Sequence, residues 1–299
     1  MLYQGFPYVS ALRISYDIIE RKEKIFNIVI KFFSMSYKLF SKNNGSEHDL
    51  KQWNERNLEG ELKGFTNRTL TQKFQEYLSG KNYRIMEGGC GFGAWCKWLE
   101  EIENEVIGIE YDERIIQKAK EFDKSIPIEL GNILDLNYPS ASFDAYISLG
   151  VIEHFENGPQ KALVEAKRIL KPGGVAFITT PYLNPLRKYF SHPLRSLFFW
   201  AYRITGKKIY FWEYRFTNQE LENYIKQAGF EIIETCIDDY DSSESNRHIG
   251  LWADWFFLRK KNGEIWELNT MGKLILRFLK LTSPKNYCSG WLVIARTLK

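Results

Sequence analysis

The chain has 299 residues, of which 44% are hydrophobic, and its net charge of +4 is too small to indicate nucleic-acid binding. This length allows one large domain or one domain with appendages. The cysteines at 90, 96, 236 and 288 lack the paired spacing of a metal site, and the four histidines are scattered, which predicts reduced thiols, no metal and a cytoplasmic protein.

Residues 1–45 are predicted to form a helical appendage to the rest of the chain. Aromatic and aliphatic side chains recur there at spacings of four and three, which indicates one apolar stripe of an amphipathic helix with lysines opposite. The helix either packs on its own domain or lies at a membrane surface as a peripheral anchor, and both interpretations stay open. We expect no signal peptide and no transmembrane helix. The stripe consists of Phe26, Ile30, Phe33, Tyr37 and Phe40.

From residue 46 to residue 299, helix-like and strand-like segments alternate. Strands that alternate with helices of ordinary length are typical of a parallel sheet with helices on both faces. We therefore expect an α/β fold with a doubly wound, mostly parallel sheet of seven strands. The predicted strands are 83–87, 105–110, 126–130, 143–149, 174–180, 230–237 and 290–296.

Two insertions, 181–216 and 240–289, interrupt this alternation and are rich in aromatic residues. The first also contains seven basic residues and a single acid, Glu213. Both follow strands of the predicted sheet, and loops at the carboxyl ends of strands line the ligand crevice in such folds. Two interpretations are open for each insertion: an extra set of core helices, or a lid over the substrate. The two do not exclude each other.

The most informative segment is Glu87-Gly88-Gly89-Cys90-Gly91-Phe92-Gly93, which joins an apolar strand to a helix. Glycines let the backbone turn tightly and approach a nucleotide-like ligand closely. Gly89, Gly91 and Ala94, with Glu110 about 20 residues downstream, satisfy the dinucleotide-binding template. The segment is equally compatible with S-adenosylmethionine binding, so it leaves hydride transfer and methyl transfer both open.

Later segments, taken in order, make the chain resemble the class I S-adenosylmethionine-dependent methyltransferases. The resemblance covers about residues 83–237 and favours the type 11 and type 23-like branch, which acts on small molecules and lipids. It implies a Rossmann-like fold and S-adenosyl-L-methionine as cofactor. The matching segments are 87–93, Glu110, 131–136, 142–155, 170–174, 214–217 and 228–230.

The resemblance also assigns roles to residues of the cofactor site. Glu87 suits the cationic methionine end, and the carboxylate of Glu110 can accept hydrogen bonds from both ribose hydroxyls. Asn132 can bind the adenine amino group while Ile133 packs on the ring. Aspartate commonly stands in the family at the positions of Glu110 and Asn132, which changes reach and charge but not role. The full set of expected cofactor contacts is Glu87, Gly89, Gly91, Gly93, Glu110, Asn132, Ile133 and Leu149.

For the acceptor side the sequence offers two catalytic candidates, His154 and Tyr182. Methyl transfer mainly requires alignment and exclusion of water, and a base is needed only when the acceptor must lose a proton. His154 follows the fourth strand of the sheet and either acts as that base or orders its loop. Tyr182, just after the fifth strand, is expected to line the acceptor pocket. Trp53 either covers the cofactor or packs in the core.

The sequence therefore predicts methyl transfer to an oxygen, nitrogen or carbon nucleophile of a small or lipid-like acceptor. DNA amino-methylating enzymes carry an Asp/Asn-Pro-Pro-aromatic motif after the fourth strand, where this chain has 148–151, Ser-Leu-Gly-Val. A nucleic-acid acceptor is therefore disfavoured. An NAD-dependent oxidoreductase and a cofactor-binding subunit without catalysis remain the alternatives.

Overall fold

The computed structural model describes residues 37–42, 58–63, 65, 68–238, 250–262 and 267–298, all within the unit Tyr37–Lys299. Nine strands are present among them, and seven form the central sheet. The strands are β1 (Tyr37–Ser41), β2 (Arg84–Gly88), β3 (Glu105–Glu110), β4 (Ile128–Leu130), β5 (Phe143–Leu149), β6 (Leu170–Pro181), β7 (Tyr210–Arg215), β8 (Phe230–Asp238) and β9 (Gly290–Thr297).

The central sheet has the strand order β4-β3-β2-β5-β6-β9-β8. All neighbours are parallel except at β9, which runs antiparallel to both β6 and β8. Strands buried on both faces read as continuous apolar runs, and 291–295 in β9 is such a run, almost fully shielded from solvent. The predicted seven-stranded, doubly wound α/β fold is confirmed.

Helices cover both faces of the sheet and bury one stripe each. Their ends use local caps: the Asp112 side chain accepts a hydrogen bond from Arg114 N at the start of one helix, and Thr217 and Glu220 form a capping box at another. None of the described helices is long and apolar enough to cross a membrane. The helices up to β8 are α1 (Leu58–Lys63), α2 (Thr69–Leu78), α3 (Ala94–Glu101), α4 (Glu113–Phe122), α5 (Gln160–Ile169), α6 (His192–Ile204) and α7 (Asn218–Gln227).

One structural expectation was wrong: Tyr37 and Phe40 do not continue a helix. They lie in β1, which pairs with β7 in a separate antiparallel two-stranded sheet. Aromatic side chains favour strands, and Leu39 between them is buried, which is the alternating pattern of a half-buried strand. The Tyr37 ring also stacks on His192 at a centroid distance of 4.0 Å. Residues 1–36, which hold the rest of the predicted helix, and Trp53 lie outside the described residues.

The two insertions pack against each other through a buried ion network. The Arg187 Nε donates to Asp254 Oδ2 at 2.8 Å, and Arg215 Nη1 donates to the other oxygen of Asp254. Arg187 Nη1 also donates to the backbone oxygens of Tyr182 and Ser289, both at 2.8 Å, which anchors the network to the sheet. Beyond β8, the described helices of the second insertion are α8 (Leu251–Asp254), a short 3-10 helix (Phe256–Leu258), α9 (Thr270–Leu279) and a second short 3-10 helix (Pro284–Asn286).

Candidate functional site

The carboxyl ends of β2 and β5 lie side by side where the strand order changes direction. From β2 the chain proceeds to β3 and β4 on one side, and from β5 it proceeds to β6 on the other. Open α/β sheets bind ligands in the crevice at such a point. The predicted cofactor residues reach this edge from four strands: 87–93 ends β2 and follows it, Glu110 ends β3, 132–133 follows β4, and Leu149 ends β5.

The backbone of the glycine loop is fixed by hydrogen bonds and by close packing. Gly89 N and Cys90 N both donate to Ile109 O, at 2.7 and 3.1 Å. Gly89 has a φ of +73°, and a Cβ built there would lie 2.5 Å from Cγ2 of Val151. Only glycine fits this position. Any other residue would be strained by the left-handed backbone conformation, and its side chain would clash with the segment that follows β5.

Gly88 is a further part of this site that we did not predict from the sequence. A Cβ at Gly88 would lie 2.3 Å from Tyr146 Oη and 3.0 Å from Cγ2 of Ile133. The buried Ile133 therefore lies directly beside the glycine loop, although 45 residues separate the two positions in the chain. The pair Gly88-Gly89 was the only indication of this in the sequence. The side chains that exclude a Cβ at Gly88 come from other segments of the chain, which the sequence alone does not bring together.

Glu110 is held by the glycine loop and by the start of α4. Its Oε2 accepts from Gly91 N at 3.0 Å, and its Oε1 accepts from Tyr111 N at 2.8 Å and Asp112 N at 3.0 Å. Burial raises the pKa of this carboxyl, and the three backbone donors oppose that rise. The carboxylate is thus oriented in advance, and each of its oxygens lies at the carboxyl edge of β3.

Glu87 is almost fully buried beneath the loop. It is 3% exposed, and Cys96 Sγ donates to its Oε2 at 3.0 Å. Burial raises the pKa of Glu87 to about 8, with the thiol contact acting in the opposite direction. In the described structure the group is therefore mostly protonated near neutral pH, and a cation placed beside it would favour ionisation.

Asn132 is exposed at the turn after β4, and its orientation is fixed by the backbone. Its Oδ1 accepts from Leu134 N at 2.9 Å, which identifies that atom as the oxygen. A second lone pair of Oδ1 stays available to a donor such as an exocyclic amine. Leu149 is half-buried at the end of β5, and Gly150 N after it donates to Thr179 O at 3.1 Å.

His154 lies in the short 3-10 helix Ile152–His154 directly after β5. Its Nδ1 is 2.9 Å from Trp212 O, and because a carbonyl oxygen can only accept, Nδ1 carries the proton. The neutral ring then has its lone pair on Nε2, the nitrogen that lies 4.0 Å from Glu153 Oε1. The buried Glu153 has a pKa raised to about 8 by desolvation, and its Oε2 has no hydrogen-bond partner among the described residues.

Tyr182 packs into the core after the end of β6. Its ring lies 5.1 Å from the ring of Trp291, and its N donates to Ser289 O at 2.8 Å. Burial raises the pKa of its phenol. A role in lining the acceptor pocket stays a prediction for this residue.

The family comparison decides between the two chemistries of the glycine loop. Residues 86–178 match the family described as Methyltransferase domain, an interval that begins in β2, ends in β6 and includes Glu110 and Asn132. Residues 86–178 therefore belong to a methyltransferase domain of the class I, S-adenosylmethionine-dependent type. The resemblance seen in the sequence is confirmed, and the antiparallel β9 between β6 and β8 distinguishes the sheet from the dinucleotide-binding order of parallel strands.

The methyltransferase domain is similar to several curated proteins over part of their length. A "Probable S-adenosylmethionine-dependent methyltransferase" of Mycolicibacterium smegmatis is 32% identical over 37% of this chain and 42% of that protein. The 2-methyl-6-phytyl-1,4-hydroquinone methyltransferase 2 of Oryza sativa subsp. japonica is 28% identical over 52% and 40%. The ubiquinone biosynthesis O-methyltransferase of Maricaulis maris is 29% identical over 43% and 52%. The chain thus spans about a third to a half of the curated relatives it matches.

Solved structures of low sequence identity share the fold of the methyltransferase domain. A methyltransferase of Methanosarcina mazei superposes with a TM-score of 0.51 at 16% identity, covering 76% of this chain and 97% of that chain. The [4+2]-cyclase SpnF gives a TM-score of 0.50 at 17% identity, covering 77% and 80%. Because a cyclase shares the fold, the reaction has to be argued from the residues of the site.

The segment that follows β5 lies under the first insertion. Tyr214 Oη in β7 donates to Glu156 O at 2.8 Å, and Trp212 of the same strand contacts His154. Strand β7 therefore lies over the segment that follows β5, at the edge of the sheet where the predicted cofactor residues converge.

Buried polar atoms without partners collect at the same edge. The side chains reach it from β6, β8, β9 and the segment after β5, and sequence reasoning assigned none of them. Buried polar groups are normally satisfied by protein or by ordered solvent or ligand, so a cluster of exceptions indicates a polar binding region. In the sequence, the available indication of this polar region was the position of polar residues at the ends of apolar strands. The atoms, unpartnered among the described residues, are Glu153 Oε2, Thr180 Oγ1, Asp238 Oδ1 and Trp291 Nε1.

No group of three histidine, cysteine, aspartate or glutamate side chains within the described ranges is placed to hold a metal ion.

Proposed function

We propose that this chain transfers a methyl group from S-adenosyl-L-methionine to an oxygen, nitrogen or carbon nucleophile of a small or lipid-like acceptor. The observation that carries the proposal is the junction of the Gly88-Gly89 loop with Glu110, Ile133 and Val151 at the switch point of the sheet. This junction lies at the carboxyl edge of the sheet, where open α/β sheets bind their ligands.

The residues present fit that cofactor in shape and in charge. Gly88 and Gly89 have no room for a side chain, so the loop packs tightly against Tyr146, Ile133 and Val151 and its backbone is held in one conformation. Glu110, fixed by three backbone donors, would accept hydrogen bonds from the ribose hydroxyls, and Glu87 would compensate the cationic methionine end. Asn132 and Ile133 would hold the adenine. The bound cofactor supplies an activated methyl carbon, which is why the protein itself has to provide little covalent chemistry.

The protein's own contribution to the transfer would be alignment, exclusion of water and acceptance of a proton. The first insertion, whose strand β7 contacts His154 and Glu156, would act as a lid that keeps water from the acceptor side. His154 Nε2, with its tautomer set by Trp212 O, would take a proton from a hydroxyl or amine acceptor. The resulting imidazolium would favour ionisation of Glu153, whose Oε1 lies 4.0 Å from Nε2, and the carboxylate would then stabilise the imidazolium.

A flat, apolar acceptor is favoured by the aromatic composition of the insertions and by two relatives. The names of those relatives refer to a phytyl hydroquinone and to ubiquinone biosynthesis. Residues 181–216 contain Trp212 beside His154, with the two rings edge to face at 5.5 Å. An aromatic ring at this position would stack on a planar acceptor.

The proposal is tested first at the cofactor loop with Gly89→Ala. An added Cβ meets Val151 in addition to a left-handed φ, so we expect S-adenosylhomocysteine binding measured by calorimetry to weaken at least tenfold. Gly206→Ala is the matched control, because Gly206 has nearly the same φ of +74° and open space around it. The control therefore shares the backbone strain but not the clash.

The same titrations separate the alternative functions. An oxidoreductase would bind NAD and give no heat with S-adenosylhomocysteine, which would contradict the proposal. A subunit without catalysis would bind S-adenosylhomocysteine but never convert S-adenosylmethionine, with any of a panel of quinols, phenols and amines as acceptor. Equal weakening in Gly89→Ala and Gly206→Ala would show that the loop is not the cofactor site.

A further inference from the structure

Helix α6 exposes an apolar face to solvent. Leu194, Leu197, Ala201 and Ile204 recur at spacings of three, four and three, which places them on one stripe. The three larger side chains are between 59 and 65% exposed, and Trp200 beside them is 62% exposed. On the opposite face His192 and Phe199 are buried, so α6 packs on the protein by one side and presents the apolar stripe on the other. A helix of this kind requires a second apolar environment.

Helix α9 repeats the pattern in the second insertion. Met271, Leu274, Phe278 and Leu281 follow the same spacing of three, four and three, in α9 and just beyond its end. They are between 55 and 82% exposed, whereas Leu276 on the inner side is buried. Two unrelated helices thus leave matching apolar stripes without a partner among the described residues.

The 3-10 helix Phe256–Leu258 connects the two helices in space. Trp255 Nε1 donates to Ser191 Oγ at 2.7 Å, which joins this segment to the start of α6. Asn269 N donates to Leu258 O at 2.8 Å, which joins it to the start of α9. Phe256 and Phe257 between these contacts are exposed as well. We call α6, the 3-10 helix and α9 together the docking face.

The charge of the docking face has one sign. No aspartate or glutamate occurs in 187–212 or in 268–299. A shallow groove of about 380 Å³ on α9 is lined by Lys273, Arg277 and Lys280 around Leu276. None of these three cations pairs with a described carboxylate, so they repel one another until an anion approaches. Arg203 lies in the last turn of α6, and Lys188, Lys207 and Lys208 lie in the segments on either side of it.

We propose that the docking face binds the surface of a lipid bilayer that contains anionic lipids. Exposed leucine, phenylalanine and tryptophan side chains with cations along their edge are what an interfacial helix needs: the apolar atoms enter the acyl boundary and the lysines reach the headgroup phosphates. A second copy of this chain would place like charges against like charges, which disfavours self-association. The proposal goes beyond methyl transfer and does not depend on it.

The test is cosedimentation of the full chain with phosphatidylcholine vesicles, prepared with and without phosphatidylglycerol. We expect binding to the anionic vesicles only, weakened by salt. The variant K273Q/R277Q/K280Q should bind about one hundredfold more weakly, because each cation near an anionic surface contributes a factor of about five. Replacing apolar atoms in L197S/W200S should weaken binding at least tenfold, through loss of buried apolar area.

Two control variants carry the same chemical changes away from the docking face. K120Q/K124Q/K161Q removes three cations on or beside α4 and α5, and V164S removes an exposed apolar side chain of α5. Both should bind vesicles like the unmodified chain. S-adenosylhomocysteine calorimetry on every variant should be unchanged, so that a failure of docking is distinguishable from a failure of the cofactor site.

Three results would overturn the proposal. The first is absence of vesicle binding at low salt. The second is equal loss of binding in docking-face and control variants. The third is concentration-dependent self-association that L197S/W200S abolishes while vesicles are not bound, which would identify the face as an interface between copies.

Discussion

At the scale of single residues, Glu87 has an unusual environment for an acid in a ligand site. Its carboxyl lies under the glycine loop at 3% exposure and is bound by the thiol of Cys96. Burial without a cation leaves the charged form unfavourable, so the pKa is raised to about 8. A ligand with an ammonium or sulfonium group nearby would restore the charge, and binding would then release a proton.

This coupling predicts a pH dependence of cofactor binding. Because Glu87 is protonated in the free protein below about pH 8 and ionised beside a bound cation, affinity for S-adenosylhomocysteine should rise from about pH 6 to about pH 8 and then level off. The rise can reach about tenfold per pH unit for one proton. Calorimetry in buffers of different ionisation enthalpy measures the released proton directly.

The control for this prediction is Glu87→Gln, which keeps an oxygen for the Cys96 thiol but cannot ionise. Its affinity should be nearly constant over the same range and lower than that of the unmodified chain near pH 8. An unmodified protein whose affinity does not change with pH would show that Glu87 stays neutral in the complex.

At the scale of elements, the sequence predicted the sheet well because its strands are apolar runs between turn residues. Strands 105–110 and 143–149 were predicted with the observed bounds. Strand β6 begins at Leu170 rather than 174, because Leu170 pairs with Phe143, a contact that no local pattern encodes. Tyr37 and Phe40 fit a helical stripe equally well, and only the presence of β7 as a partner makes them a strand.

A site residue could be predicted from the sequence where the whole pattern that identifies it lies within one segment. Glycines that follow a strand, and an acid at the end of the next strand, are visible in a single sequence, so the position of Gly89 and Glu110 at the edge of the sheet could be predicted. The unpartnered atoms of Asp238 and Trp291 were not, because their meeting depends on the antiparallel pairing of β8 with β9. The contact of His154 with Trp212 likewise joins two segments that are distant in the chain.

The ion network between the insertions predicts a strong effect of Asp254→Asn. Its carboxylate lies between Arg187 and Arg215, which lower its pKa, and all three side chains are nearly fully buried. Breaking one partner of a buried network leaves uncompensated charge, so we expect the free energy of unfolding to fall by about 3–5 kcal/mol. Urea denaturation measures it.

Glu231→Gln provides the comparison for Asp254→Asn, because it breaks the Glu231–Arg296 pair, whose side chains are both 49% exposed. An exposed pair contributes about 0–1 kcal/mol, so this change should be close to neutral. Similar effects of the two substitutions would mean that the network does not hold the insertions on the sheet.

At the scale of the whole molecule, binding at the edge of the sheet should stabilise the entire fold. A ligand that binds only the folded state, present at one hundred times its dissociation constant, adds about 2.7 kcal/mol. For a chain of this size that corresponds to a rise in Tm of roughly 4 °C. Scanning calorimetry with S-adenosylhomocysteine should show this rise, whereas NAD at equal concentration should leave Tm unchanged. A shift with both ligands would argue against a selective site.

The antiparallel strand β9 has a consequence for biosynthesis. It is translated after β8, yet it lies between β6 and β8 and supplies the hydrogen bonds that attach β8 to the sheet. On the ribosome, β2 to β6 can assemble in the order in which they emerge, with the glycine loop and Glu110 already in place. β8 and α7 then have no strand to join until 290–297 has been synthesised. The nascent chain thus completes its cofactor half first and exposes the edge of β6 to chaperones or to aggregation until the last strand inserts.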